Sequence, residues 1–173
     1  MDAYLNRLQA ELEATIANAP AEAMRNAPAG KWSSVQILEH LYLTYKHTNK
    51  GIAKCLEGGA PLATRATMMH RFGCMVVLFF GYFPSGRKAP ERSVPRGMVL
   101  EESRVTISGE IQKMAAGLDD CERRFGANVK IMDHPVLGPL TAHQWRKFHW
   151  IHGRHHARQI RERTQIQIPA SAS

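Results

Sequence analysis

Much of what would tie this chain to a familiar chemistry is missing from it. Its three cysteines, Cys55, Cys74 and Cys121, are scattered and form no Cys-x-x-Cys pair. Neither a disulfide framework nor a zinc knuckle is indicated, and a reducing cytoplasm is the expected compartment. There is no Glu-x-x-His pair, no His-Glu-x-x-His, no Gly-x-Ser-x-Gly and no glycine-rich phosphate loop. Those absences set aside the carboxylate-bridged di-iron bundle, the common zinc peptidases, the nucleophile-elbow hydrolases and the nucleotide-binding folds. The carboxylates are scattered and suggest no glycosidase pair.

Long apolar runs are lacking too. The most apolar stretch, Cys74 to Phe83 (CMVVLFFGYF), lies between Arg71 and Arg87 and is about half as long as a membrane span, so a core helix is expected there and no membrane. The first residues, MDAYLNRLQAELEATI, do not have the basic-then-apolar order of a signal peptide. No alternating strand pattern bounded by turns and no internal repeat is present. An all-α fold in one domain, residues 1–165, with a tail over 166–173, is the expectation.

Acidic residues are the scarcer charge, 15 against 23 Lys and Arg, for a formal net charge of +8. Such a balance raises the question of nucleic acid. The basic residues are spread over several segments, however, and no nucleic-acid-binding motif accompanies the densest cluster, on the last predicted helix. That cluster reads as a solvated helical face, and nucleic acid is not an expected partner.

Four long helices can be read from caps and seams. Asp2 caps residues 3–17, where Leu5, Leu8, Leu12 and Ile16 form an apolar seam. Ser33 with Gln36 makes a capping box that opens a helix running to about Glu57, with Ile37, His40, Leu41, Thr44 and His47 on its inward face. Residues 99–125 repeat apolar positions from Leu100 through Ile107, Ile111, Met114 and Leu118 to Phe125. Thr141 with Gln144 opens the last helix, to Arg163. Between these, residues 20–31 read as a loop with room for a helical turn, residues 64–83 as an additional apolar helix, and residues 84–98 as a long irregular proline-containing loop. His134-Pro135 and Gly138-Pro139 read as rigid turns.

The last helix carries five of the nine histidines. At about 100° per residue, Trp145, His149, His152, His156 and Ile160 fall on one stripe, while Arg146, Lys147, Arg154, Arg158 and Arg161 point elsewhere. Imidazoles therefore occupy positions where a packed helix would show leucine, and an unpartnered one costs about 1–3 kcal/mol there. A shared metal ion would remove that cost. His152 and His156, four residues apart, can bind one ion from a single helix, and His40 is the candidate third ligand from the second long helix. Spacing alone leaves metal ligation and ordinary hydrogen-bonded core histidines evenly matched. His149 is a fourth ligand, a general base or, preferably, a pocket-lining residue. Gln159 is placed to orient a ligand, Thr44 and Trp145 lie beside the same pocket, and His155 faces a neighbour or the surface. His47, His70, His134 and His143 read as polar or turn residues.

The segments WSSVQILEH (32–40) and HPVLGPLTAHQWRKFHWIHGRHHARQI (134–160) resemble the DinB-like superfamily of metal-binding four-helix bundles, and more narrowly a bacterial subgroup of unknown function. The resemblance is discontinuous but spans residues 31–162. It implies an up-down-down-up bundle, usually a homodimer. It also implies a divalent ion, zinc or nickel, held by His40, His152 and His156 with water completing the shell. Superfamily members include transferases and an isomerase that use low-molecular-weight thiols, so the expected activity is activation of a thiol or water toward a small electrophile. No catalytic residue beyond the metal ligands is named by the resemblance. The alternative is a non-catalytic bundle of stress-response type that binds metal or another ligand. The segment 64–98 departs from the simplest family pattern and is expected to shape or cover the pocket.

Overall fold

Long helices form where a start signal and an apolar seam coincide. The structure, a computed structural model, describes residues 2–83 and 88–165. The readings made for residues 84–87 and for the tail 166–173 lie outside the described residues. Helix α1 (Ala3–Ala17) begins at Asp2, whose carboxylate accepts the Tyr4 N–H at 2.8 Å, and it buries Leu5, Leu8, Leu12 and Ile16. A single turn, α2 (Ala21–Arg25), occupies the first connection. Helix α3 (Ser34–Glu57) opens on the reciprocal Ser33–Gln36 capping box and stops at Gly58. Helix α4 (Met68–Cys74) runs into one π turn at Met75–Phe79. Helix α5 (Leu100–Phe125) buries Leu100, Ile107, Ile111, Met114 and Leu118, the seam expected of it. Helix α6 (Ala142–Gln165) begins at a second reciprocal cap, in which Thr141 Oγ1 accepts the Gln144 N–H and Gln144 Oε1 accepts the Thr141 N–H.

The described chain is mostly helical. Helix α3 packs along α5 and α1 along α6, while α6 also meets α3 and α5. This arrangement brings the inward face of α3 opposite the histidine stripe of α6. None of the described helices is long and apolar enough to cross a membrane.

Three expectations are corrected. The stretch read as rigid turns contains a β-hairpin, β1 (Lys130–His134) antiparallel to β2 (Gly138–Thr141), with an irregular register between Lys130 and Met132. Its strands are too short to show a period, and β2 is buried at Gly138, Pro139 and Leu140, so the usual alternation is absent. The helix read over residues 64–83 is confined to 68–79, and it is not a core helix. Val77 and Leu78 are buried, but Met68 and Phe79 are 80% and 77% exposed, because the segment packs one side only, the Cys74 thiol donating to the Leu137 carbonyl at 3.4 Å. Finally, Arg146 is not part of a solvated face. It is buried and bonded to Asp119 at 2.7 Å and Glu122 at 2.5 Å, which tie α6 to α5.

Helix α6 comes close to Leu8 of α1 and Tyr45 of α3 at Gly153. A Cβ there would overlap Leu8 Cδ1 and lie 3.2 Å from the Tyr45 hydroxyl. Gly153→Ala is expected to lower stability by about 1–3 kcal/mol, the usual cost of overpacking. Urea unfolding measures this, and an unchanged midpoint would show that α1 and α6 part without penalty.

Candidate metal centre

Helices α3 and α6 bring three imidazoles edge to edge. His152 Nε2 lies 3.4 Å from His40 Nε2 and 3.1 Å from His156 Nε2. One ring nitrogen from each of the three lies within 4.8 Å of the others, close enough to hold a single metal ion. Ligand nitrogens in a tetrahedral shell of radius about 2.0–2.1 Å are about 3.3–3.4 Å apart, so the spacing suits one ion. His40, His152 and His156 are 5%, 5% and 8% exposed. Among the described residues, no other group of His, Cys, Asp and Glu meets this condition.

The outer nitrogens decide the direction of the inner ones. His40 Nδ1–H donates to the Ser93 carbonyl at 2.8 Å, and His156 Nδ1–H donates to Gln159 Oε1 at 2.8 Å. The Gln159 amide nitrogen lies in turn 3.0 Å from His155 Nε2 and donates to it. A neutral imidazole carries one N–H, so His40 and His156 both turn bare Nε2 lone pairs toward His152. His152 can offer a hydrogen to only one of them. A cation between the three satisfies the converging Nε2 atoms. The far-nitrogen hydrogen bonds that hold such ligands in place are present for His40 and His156, while His152 Nδ1 is buried without a partner among the described residues.

Burial keeps the cluster neutral. Desolvation first, and then His156 and His40, hold His152 well below the usual imidazole range. Desolvation and then His40 lower His156 to about 3. His40 is lowered by burial, against the opposing pull of the Ser93 carbonyl. Neutral imidazole is the protonation state that a metal requires.

The remaining candidates are distributed unevenly. Gln159 touches His156, as its position on the stripe implied. Thr44 gives its hydroxyl to the His40 carbonyl at 2.8 Å and so bonds the backbone rather than a ring. His149 is completely buried and is not one of the three clustered histidines. Its ring is enclosed by Tyr45, Trp145 and Phe148, with centroids 5.3, 5.7 and 5.0 Å away. Neither of its nitrogens has a protein partner among the described residues, and the same holds for the Tyr45 hydroxyl and Trp145 Nε1. His155 is half-buried against Phe83. His134, read as a polar or turn residue, ends strand β1, where its Nδ1 accepts the Val136 and Leu137 N–H groups at 3.1 Å.

Several participants left no mark in the sequence. Phe83, Phe148 and Trp32 place aromatic rings 5.1 Å from His152, 5.5 Å from His152 and 5.2 Å from His40. Glu39, beside His40 in the chain, is 3% exposed, and its carboxylate accepts the backbone N–H groups of Arg96, Gly97 and Met98 at 2.6, 3.0 and 2.9 Å. A positive φ of 107° at Gly97 belongs to this loop and suits glycine. Glu39 thus fastens residues 96–98, while Ser93, just before them, orients His40. The partners are backbone groups 57 to 59 residues away, which no side-chain spacing could reveal.

Fold and site together define a mostly helical protein with a convergent three-histidine cluster. The family described as "Protein of unknown function (DUF1569)" matches residues 7–163, and the chain belongs to it. Neither a curated protein nor a solved structure matches the chain.

Two outcomes follow from these environments. Glu39→Gln turns amide hydrogens toward buried N–H donors and should lower stability by about 1–3 kcal/mol, with faster amide exchange over residues 93–98. Unchanged exchange there would separate Glu39 from the loop. Second, burial, with a smaller contribution from His134, lowers His149 to about 3. Its folded value lies below the unfolded value of 6.5, so its contribution to stability is complete above about pH 6.5 and is lost as pH falls toward 3. Between pH 7 and 5 the metal-free protein should lose about 2 kcal/mol through this group alone. Chemical unfolding across that range should show a shallower slope for His149→Phe, and an identical slope would mean that His149 is protonated in the fold.

Proposed function

We propose that the protein is a metal-dependent enzyme of DinB-like type, in which His40, His152 and His156 hold one divalent ion, zinc or nickel. The reaction proposed is activation of a thiol or water toward a small electrophile, as in thiol S-transfer, with a low-molecular-weight thiol as the substrate class. In this reading the long helices α1, α3, α5 and α6 are the up-down-down-up bundle, and the three free cysteines are at home in the cytoplasm.

One observation carries the metal part: two imidazoles are locked by outer hydrogen bonds so that their free lone pairs converge on a third. Three protein ligands leave coordination positions for a small molecule, the pattern of a catalytic rather than a structural site. A divalent ion lowers the proton affinity of a bound thiol or water and yields the nucleophile near neutral pH. The protein's own contribution is to keep the ligands deprotonated by burial, to aim them through Ser93 and Gln159, and to exclude bulk water with Phe83, Phe148 and Trp32.

A specific observation favours a second reading, a non-catalytic metal-binding bundle. The three histidines are at most 8% exposed and aromatic rings abut them, which suits an ion that stabilises or senses. The two readings part on exchange. In the enzyme, the bound ion accepts thiols, seen as a thiolate charge-transfer band after cobalt substitution; in the rival the spectrum is indifferent to thiols.

Elemental analysis of tag-free protein is the primary test. About one transition metal per chain is expected after dialysis against zinc or nickel, falling at least tenfold in His40→Ala and His156→Ala with helical content preserved. Metal content unchanged in both variants would overturn the assignment.

A further inference from the structure

The segment that left the core presents an apolar face to solvent. Met68, Phe72, Met75 and Phe79 are 80%, 59%, 46% and 77% exposed. They follow one another at intervals of four, three and four residues, which places them within one narrow stripe of a helix and matches the seam by which one helix receives another. Met69 and Phe80 form a shoulder, 73% and 66% exposed, and Tyr82 continues it at 62%. Phe79 and Phe80 support each other ring edge to ring face at 5.1 Å.

The element bearing this face is held firmly from behind. Val77 and Leu78 are buried, the Cys74 thiol bonds the Leu137 carbonyl, and a Cβ on Gly73 would come within 3.3 Å of Leu137. The outer stripe therefore belongs to an anchored helix. At about 200 Å² for a side chain of this size, the seven residues expose on the order of 900 Å². The largest apolar patch on an ordinary monomer is about 300–600 Å², whereas each side of a stable protein interface buries about 800 Å².

We infer that this face pairs with the same face of a second copy of the chain, the two α4 helices crossing antiparallel about a two-fold axis. A self-complementary pairing needs one patch to serve both sides, and a stripe of unbranched methionines alternating with phenylalanines can interdigitate with itself. The size of the patch, close to what one half of a dimer buries, supports a single partner of this kind. Residues 58–90 contain Arg65, Arg71, Arg87 and Lys88 and no acid, which makes an anionic membrane surface the competing occupant. Pairing was already implied by the family resemblance; the assignment of the face is new and independent of the metal reading. It has a consequence for the site, since Phe83, just beyond the stripe, rests on both His152 and His155. Pairing over α4 braces the wall of the histidine cluster in each copy.

Sedimentation equilibrium of the full chain, with Phe72→Glu/Phe79→Glu beside it, tests the assignment. A dimer is expected for the parent, and at least a hundredfold weaker association for the double variant, whose circular dichroism and metal content should match the parent's. A Met75→Cys chain should form an intermolecular disulfide under mild oxidation, while Val105→Cys, at a more open position on α5 (79% exposed against 46% for Met75), should not. A parent that is monomeric at 100 µM, or a double variant that dimerises as tightly as the parent, would overturn the assignment. So would flotation of a monomeric parent with phosphatidylserine vesicles, which would give the face to a membrane.

Discussion

The structure turns on the expense of burying imidazole. A ring that leaves water must find partners for two nitrogens, and each partner that is missing costs about 1–3 kcal/mol, more than an ordinary hydrogen bond contributes. Here the outer nitrogens of His40 and His156 are satisfied by oxygen acceptors, and the inner ones are left confronting each other. That polarity brings the other features of the site into line. Gln159 points its carbonyl at His156, residues 93–98 lie against α3, and the aromatic rings close over what is left. A hydrophobic replacement of the same volume would have packed more cheaply, so the arrangement is intelligible as a binding site rather than as a core.

Much of this was legible in the chain. The ends of α1, α3, α5 and α6 follow from Asp2, from two reciprocal caps and from seams of leucine, isoleucine and methionine, all local signals. The stripe of Trp145, His149, His152, His156 and Ile160 is buried throughout, and the distance of four residues between His152 and His156 was enough to bring their rings together. His40 was legible because it stands on the buried face of a well-marked helix.

What could not be read depends on long-range pairing. The hairpin is short and partly buried on both sides, so its composition carries no period. Arg146 looks like any surface cation until Asp119 and Glu122 on another helix are brought to it. Glu39 is recognised by backbone amides, which every residue possesses and no sequence advertises. The apolar run at 74–83 misled for a different reason: hydrophobicity measures a preference for leaving water, but not whether the fold or another molecule will supply the cover.

The separation of the clustered residues along the chain has a mechanical meaning. His40 and His152 are 112 residues apart, and they sit on helices whose principal packing partners differ, α5 for α3 and α1 for α6. The cluster is thus a tie between the two halves, beside the ion pairs of Arg146 with Asp119 and Glu122. In a chain whose described cysteines are free, the proposed ion would make the histidines a long-range tie that, unlike a disulfide, is fastened and released at equilibrium. With the proposed ion bound, sliding of one half against the other would require a metal–ligand bond to break.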